Sequence, residues 1–458
     1  MLYYAKYVHF FRKGGDGLKK LKMLVFAALC ALLCGCSAMT AEDFYSLPQL
    51  SSTYIALQSE INALLSAGAE YASPASGQNR QAVQLEDLNG DGTKEAIVFT
   101  SVRGDAKPLK IHVFEDSGDK YVEVAVIEGE GTGIESVSYL DMDMDGSKEI
   151  AVGWRIASGM NILSVYSMKD YSEQNIFSTD YTKYSAYDLD GDTADEITVL
   201  HAGAPEGGGS AELFRIESGV VNAQSCSMSD EIRAIDRVRT TILEDETPAI
   251  IVESRTDGGG LVTDILVADE SGMRNLALDA LNRESSTLRP LQIWSRDLDG
   301  DGVVEVPQVE ALPYQAEAAS IYYLTRWYHY DSAGYKTCVA STYMNVDDSW
   351  YLELPEAWCD IITVRDQTVT SGERAVILSV VGEGGETTDF LVIYTVTGDN
   401  REERASAGRR FILRHEEDRV YAAAILPAAE NGLPIKVDRD TVRESFNILY
   451  SEWITGEG

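Results

Sequence analysis

The sequence predicts a mainly β chain: a β-propeller of about five four-stranded blades, followed by a small C-terminal α+β domain. Three observations lead there. An acidic nine-residue loop recurs, its copies are spaced near 50 residues apart, and short β-rich segments fill the intervals.

The loop follows the pattern Asp-x-Asp/Asn-x-Asp-x-x-x-Glu. Its copies are Asp87-Leu-Asn89-Gly-Asp91-Gly92-Thr93-Lys-Glu95, Asp141-Met-Asp143-Met-Asp145-Gly146-Ser147-Lys-Glu149, Asp188-Leu-Asp190-Gly-Asp192-Thr193-Ala194-Asp-Glu196 and Asp297-Leu-Asp299-Gly-Asp301-Gly302-Val303-Val-Glu305. First positions lie 54, 47 and 109 residues apart, so the last gap spans about two periods. Midway stands a decayed copy, from Thr241 through Leu243 and Asp245 to Ala249. Ile250-Ile251-Val252 follow it, as Ala96-Ile97-Val98 follow Glu95.

Each unit reads as four strands. In the first these are 81–85, 95–100, 110–114 and 121–127; in the third, 185–187, 196–200, 211–216 and 220–223. Radial repetition of such units hides sheet edges. Strands running alternately up and down put every acidic loop on one face. The opposite face receives glycine-bearing connections at 103–105, 158–159, 207–209 and 258–260, which read as hairpin turns needing positive φ. None ends in the Gly-Lys-Ser/Thr of a phosphate-cradling loop.

The loop chemistry points to calcium, which takes six to eight hard oxygen ligands in flexible geometry. Positions 1, 3 and 5 can turn their side chains toward one point. Glycine at position 6 allows the reversal. A carbonyl near position 7 (Thr93, Ser147, Ala194, Val303) can contribute, and Glu at position 9 closes the shell. Three or four carboxylates within nine residues repel strongly unless a cation lies among them. An EF-hand would need a bidentate Glu at position 12, where this chain has Val98, Val152, Val199 and Gln308, and helices rather than β-rich flanks.

The pattern resembles the calcium loops of the FG-GAP/VCBS repeats, as in the propeller of integrin α-subunits. The resemblance covers roughly residues 75–345 and implies side-chain ligands from positions 1, 3, 5 and 9, a carbonyl from position 7, and up to four calcium ions. It also makes six or seven blades the alternative count. Thr193 replaces the loop glycine in the third copy. The decayed copy has lost positions 1, 3 and 9 and is expected to hold no metal.

The N-terminus reads as an export segment, residues 1–35. Lys19, Lys20 and Lys22 precede an apolar run, 23–33, too short to span a bilayer, with Leu33-Cys34-Gly35-Cys36 after it. Translation is expected to start at Leu18. The Leu-x-Gly-Cys ending resembles the lipobox of bacterial lipoproteins, which implies cleavage before Cys36 and a diacylglycerol on its sulfur. The expected location is therefore the extracytoplasmic side of the bacterial envelope, with the membrane as partner through the lipid.

The formal charge of −36 argues against nucleic acid or anionic lipid meeting a basic face. Residues 1–35 carry six Lys/Arg and one acid, so the remainder holds 32 basic and 73 acidic residues. The four loops place fifteen carboxylates at side-chain ligand positions, so four calcium ions explain the clustering of acids and not the overall acidity. Cys226, Cys338 and Cys359 form neither a disulfide framework nor a zinc-type spacing.

Residues 36–70 are expected to be a tether and a helix, 51–67, with Leu50, Tyr54, Leu57, Ile61 and Leu64 at helical spacing and Gly68 as its C-cap. The propeller is expected over 71–345 and the α+β domain over 346–458. There, Thr441-x-x-Glu444 reads as a capping box opening a helix with Val442, Phe446, Leu449 and Trp453 on one side. One or two further decayed blades, with Asp366 at a lost first position, are the competing reading.

Two functional classes remain. One is a binding or adhesion scaffold for protein or glycan, not an enzyme. The other is a glycan-active hydrolase or lyase on the same scaffold. His112, His201, His329 and His415 lack catalytic context, and no G-x-S-x-G or H-E-x-x-H is present. The run Tyr322-Tyr323-Leu-Thr-Arg326-Trp327-Tyr328-His329-Tyr330 reads either as a strand packed between blades or as a ligand surface.

Overall fold

In the computed structural model, which describes residues 52–450 except 119, 157–158, 204–207, 231, 280–283, 314–320 and 431, the repeat units become antiparallel sheets. The expected export segment, Cys36 and Trp453 lie outside the described residues.

Sheet 1 comprises β1 (Ala69–Tyr71), β2 (Val83–Glu86), β3 (Glu95–Val102), β4 (Leu109–Asp116) and β5 (Tyr121–Gly129). β1 and β2 both pair with β3, at Thr100–Val102 and Glu95–Val98, so they share one lane and sheet 1 is four lanes wide. Sheet 2 is β6 (Gly133–Leu140), β7 (Glu149–Arg155), β8 (Asn161–Ser167) and β9 (Gln174–Tyr181). Sheet 3 is β10 (Lys183–Tyr187), β11 (Glu196–His201), β12 (Ser210–Glu217) and β13 (Val220–Ser227). Sheet 4 is β14 (Ile232–Ile242), β15 (Pro248–Thr256), β16 (Leu261–Asp269) and β17 (Gly272–Asn275). In sheets 2, 3 and 4, and in sheet 1 from β2 onward, neighbours in sequence are neighbours in the sheet.

Sheet 5 runs β18 (Val306–Ala311), β19 (Tyr323–Tyr330), β20 (Lys336–Asn345) and β21 (Trp350–Glu353). Its first lane has shrunk to one bridge, Arg296 to Glu305. Sheet 6 contains β22 (Ile362–Thr370), β23 (Glu373–Val381), β24 (Thr387–Thr397), β25 (Phe411–His415) and β26 (Arg419–Ile425), with β26 between β24 and β25. The last strand, β27 (Phe446–Ile448), returns to pair with β21. Among the described residues there are thus six sheets of four or five strands.

The pleat explains why the second strands read as continuous apolar runs. Ile150 and Val152 join a buried cluster with Ile97, Phe99 and Ile111 of sheet 1, while Ala151 joins one with Ile197 and Val199 of sheet 3. Ile250 and Val252 likewise face Leu200 and Leu213 of sheet 3, and Ile251 faces Val306 of sheet 5. A strand covered on both faces needs apolar residues at every position. Each such side chain contributes roughly 1.5–3 kcal/mol on burial. The chain of shared clusters ends where Leu324 and Trp350 of sheet 5 pack with Leu378 and Phe390 of sheet 6.

The described residues form two compact units. The smaller takes in α1 (Ser52–Ser66) as far as Leu64 and the Ser117–Tyr121 turn; the larger holds Leu65–Asp116 and Val122 onward. α1 ends as expected: Gly68 adopts φ 101° and its N–H bonds Leu65 O at 3.1 Å.

The C-terminal region differs from the sequence reading in several respects. The border at 345/346 falls between hydrogen-bonded neighbours, since β20 and β21 pair from Thr342↔Glu353 to Asn345↔Trp350. Beyond it lie sheet 6 and the short helices α2 (Glu356–Cys359), α3 (Arg401–Ala405) and α4 (Arg439–Ser445). Asp366 lies within β22, opposite Val376, and not on a loop. α4 starts three residues before the expected capping box, because the Asp438 carboxylate accepts the N–H groups of Asp440 and Thr441. It stops at Ser445, where the edge of β21 captures Phe446–Ile448 as a strand.

Candidate metal-binding loops

The acidic loops join β2 to β3, β6 to β7 and β10 to β11, and lead into β18. Their side chains fold the backbone by turn-type hydrogen bonds. The position 1 carboxylate accepts the position 6 N–H: Gly92 to Asp87 at 2.9 Å, Gly146 to Asp141 at 3.1 Å, Thr193 to Asp188 at 3.0 Å and Gly302 to Asp297 at 3.0 Å. Asn89, Asp143, Asp190 and Asp299 accept the N–H two residues on, at 3.0–3.3 Å. Asp91, Asp145, Asp192 and Asp301 do the same for Thr93, Ser147, Ala194 and Val303, at 2.6–2.8 Å. Position 6 is left-handed in every copy, with φ of 87°, 88°, 80° and 93°. Glycine adopts this freely; Thr193, β-branched, is strained there.

Position 9 anchors the arrangement from below. Glu95, Glu149, Glu196 and Glu305 are buried, and one oxygen of each accepts the position 2 N–H, at 2.7 Å from Leu88, 3.0 Å from Met142, 2.7 Å from Leu189 and 2.5 Å from Leu298. Glu95, Glu149 and Glu196 start second strands and Glu305 immediately precedes β18, so position 12 is a strand residue in each copy, and Val98, Val152 and Val199 are fully buried. That geometry is not an EF-hand.

Ligand atoms converge at several of these loops. Single oxygens of Asp188, Asp190, Asp192 and Glu196 all lie within 4.8 Å of one another, as do those of Asp141, Asp143 and Glu149, and those of Asp297, Asp299 and Asp301. Asp301, Glu305 and His329 form a further group of this kind. Asp141 Oδ1 is buried with no hydrogen-bond partner. These acidic clusters can hold a metal ion. Burial, with the charges of Asp143, Asp141 and Asp145 adding to it, pushes Glu149 up to about 7. Burial beside Asp190 and Asp192 does the same to Glu196, also to about 7, and burial raises Glu95 and Glu305. A cation among the carboxylates reverses that cost.

Adjacent loops are stitched together. Lys148 N–H bonds Leu88 O at 2.7 Å and Asp195 N–H bonds Asp141 O at 3.1 Å. A Cβ on Gly90 would lie 2.3 Å from Gly146 O, so only glycine fits that approach.

A set of neighbours escaped the sequence reading. One register step beyond Ala96↔Phe114, Ile150↔Tyr166, Ile197↔Phe214 and Val306↔Tyr328, the third strands place Glu115, Ser167, Arg215 and His329 beside the position 9 glutamates. Arg215 lies 3.2 Å from Asp190 and His329 contacts Glu305. At the first loop Tyr171 Oη accepts from Asn89 at 2.9 Å, donates to Glu95 at 3.0 Å and lies 3.4 Å from Glu115. Lys169 Nζ is 2.8 Å from Asp145. The signal for the third-strand residues is their register opposite position 9, which spacing alone does not disclose.

The decayed copy is a different object. β14 continues to Ile242, β15 starts at Pro248, and Leu243 N–H bonds Thr247 O at 2.9 Å. The Asp245 carboxylate accepts from Ser332 N–H at 3.0 Å and Ser332 Oγ at 2.7 Å. Burial raises its pKa, but these bonds outweigh that and hold it low.

The aromatic run is β19, between β18 and β20. Trp327 is fully buried with Nε1 donating to Thr342 Oγ1 at 3.0 Å, and His329 and Tyr330 are both buried because the strand is covered on both faces, His329 against Glu305 and Tyr330 in the cluster with Ile251 and Val306. His112 bonds Thr100 at 3.0 Å and Glu123 at 2.6 Å within sheet 1. Among the described residues no helix is long and apolar enough to cross a membrane.

No protein-family model matches the chain, and no curated protein does. Among solved structures it is similar to AofleA from Arthrobotrys oligospora, with TM-score 0.24 and 8% identity over 72% of this chain and 90% of that one. A triple arginine-to-alanine mutant of the same protein gives TM-score 0.25 and 9% identity over the same shares.

Proposed function

We propose that the chain is a calcium-binding propeller lipoprotein, held by Cys36 on the extracytoplasmic side of a bacterial membrane. In this reading it is a binding or adhesion scaffold, presenting the face opposite its loops to a protein or glycan. The six sheets, each sharing a buried cluster with the next, are its blades. The observation that carries the metal reading is the convergence of Asp188, Asp190, Asp192 and Glu196, repeated in part at two further loops. All-oxygen ligands at the four loops suit a hard cation of flexible coordination, which favours calcium over zinc or copper. The ions staple one face and leave the other to recognition. Melting curves in calcium and in EDTA test this. Four sites, each adding about 2.7 kcal/mol at a hundredfold excess over Kd, predict a drop on the order of 10 °C or more on chelation. An unchanged curve overturns the reading.

A further inference from the structure

A cleft of about 420 Å3 is lined by β6 and β10 and by the segment between β1 and β2. It extends along both strands: Glu135–Tyr139 and Tyr181–Tyr184 line it with Ala186 and with Asn161 from the start of β8, and Tyr139 and Ala186 each stand two residues before the first aspartate of a loop. Its size falls within the roughly 300–1,000 Å3 of small-ligand sites.

The edge of β6 on this side is closed. Ala75 N–H bonds Ile134 O at 3.1 Å, Ser76 N–H bonds Glu135 O at 2.8 Å, and Asn79 Nδ2 donates to Val137 O at 3.2 Å. A peptide therefore cannot add here as a strand. Hydroxyls and amides line the space. Tyr184 Oη shares hydrogen bonds with Ser136 Oγ at 3.2 Å and Ser138 Oγ at 3.1 Å. Tyr181, its ring edge-on to Tyr184 at 5.4 Å, carries a buried Oη beside Ser136 with no well-formed hydrogen bond. Gly153 makes room for it, since a Cβ there would lie 2.2 Å from that oxygen.

The charges balance. Burial raises the Glu135 pKa, but Arg155, bonded through Nε at 3.1 Å, Ser76 and the Lys183 charge outweigh it. In a chain of net charge −36, this cleft has no excess of either sign. Neither a cation nor a polyanion is selected, and the polar lining does not suit an apolar ligand. Groups that both donate and accept match vicinal hydroxyls.

We propose that this cleft binds a neutral saccharide unit of one or two residues. The proposal rests on the scaffold reading above and narrows its ligand. The test presents the full chain, in calcium and in EDTA, to arrayed neutral and charged mono- and disaccharides and to a peptide library. Neutral saccharides are retained, and Gln78→Ala and Asn161→Ala, at two lining amides open to solvent, each lower their affinity at least tenfold with unchanged melting. Retention of only charged sugars or peptides, no retention, or binding indifferent to both variants overturns the proposal. Failure of the metal reading shows separately, as a melting curve indifferent to EDTA.

Discussion

The loop between β10 and β11 and the turn between β14 and β15 connect equivalent strands by different means. The first uses nine residues, folds around its own carboxylates and buries Glu196, which burial pushes up to about 7. The second closes with two backbone bonds, Leu243 N–H to Thr247 O and Glu246 N–H to Leu243 O, has Ala249 where the others have glutamate, and uses its single aspartate to hold Ser332. Ile250 and Val252 in one strand and Leu200 in the other still share one buried cluster. The sheets therefore need only a connection at this end. The acidic loop is an addition to the fold, and in our reading the metal supports the loop.

This contrast can be broken most forcefully at position 9. Glu196→Ala leaves the buried Leu189 N–H without its acceptor, which costs about 1–3 kcal/mol. Losing a bound ion adds about 2.7 kcal/mol at a hundredfold excess over Kd. Urea denaturation is expected to show the larger loss in calcium and only the smaller one in EDTA. Equal losses would mean that the loop stands without metal, like the turn.

The pH dependence sharpens the same point. With folded pKa values raised from the ordinary 4.5 to about 7, Glu149 and Glu196 bind protons more tightly in the folded state. Their protonated stability is fully present below pH 4.5 and is lost as pH rises through 7. In EDTA the chain should lose stability over that window, relative to a Glu149→Gln, Glu196→Gln double variant. Calcium should abolish the difference. A gain in stability with rising pH in EDTA would contradict the burial argument.

Smaller effects follow at the turning residues. Thr193→Gly relieves a left-handed β-branched residue and should stabilise by about 1 kcal/mol. Asp245→Ala removes the bonds to Ser332 and should cost about 1 kcal/mol, equally with calcium and with EDTA. A calcium-dependent loss at Asp245 would place a metal in the decayed turn.

Local pattern carries much of this architecture in the sequence. The four loops, the all-buried second strands and the place of the decayed copy are readable because ligands and strands lie within a few residues of one another. What escapes is long-range. The β22–β23 connection is a tight turn at Gly372, φ 75°, with no acidic signature to announce a sixth sheet. The order β24–β26–β25 and the capture of Phe446–Ile448 by β21 depend on which edge is free. Arg215 and His329 reach the loops through register across strands, and Tyr171 comes from the neighbouring sheet 76 residues from Glu95. The third loop thus combines the best-converged carboxylates with a strained turn and an arginine beside Asp190.

The most direct test is a count of calcium ions on the intact chain by native mass spectrometry. We expect up to four per chain, one fewer in Glu149→Gln, and no change in Asp245→Ala. No bound calcium, or a count indifferent to Glu149, would contradict the account.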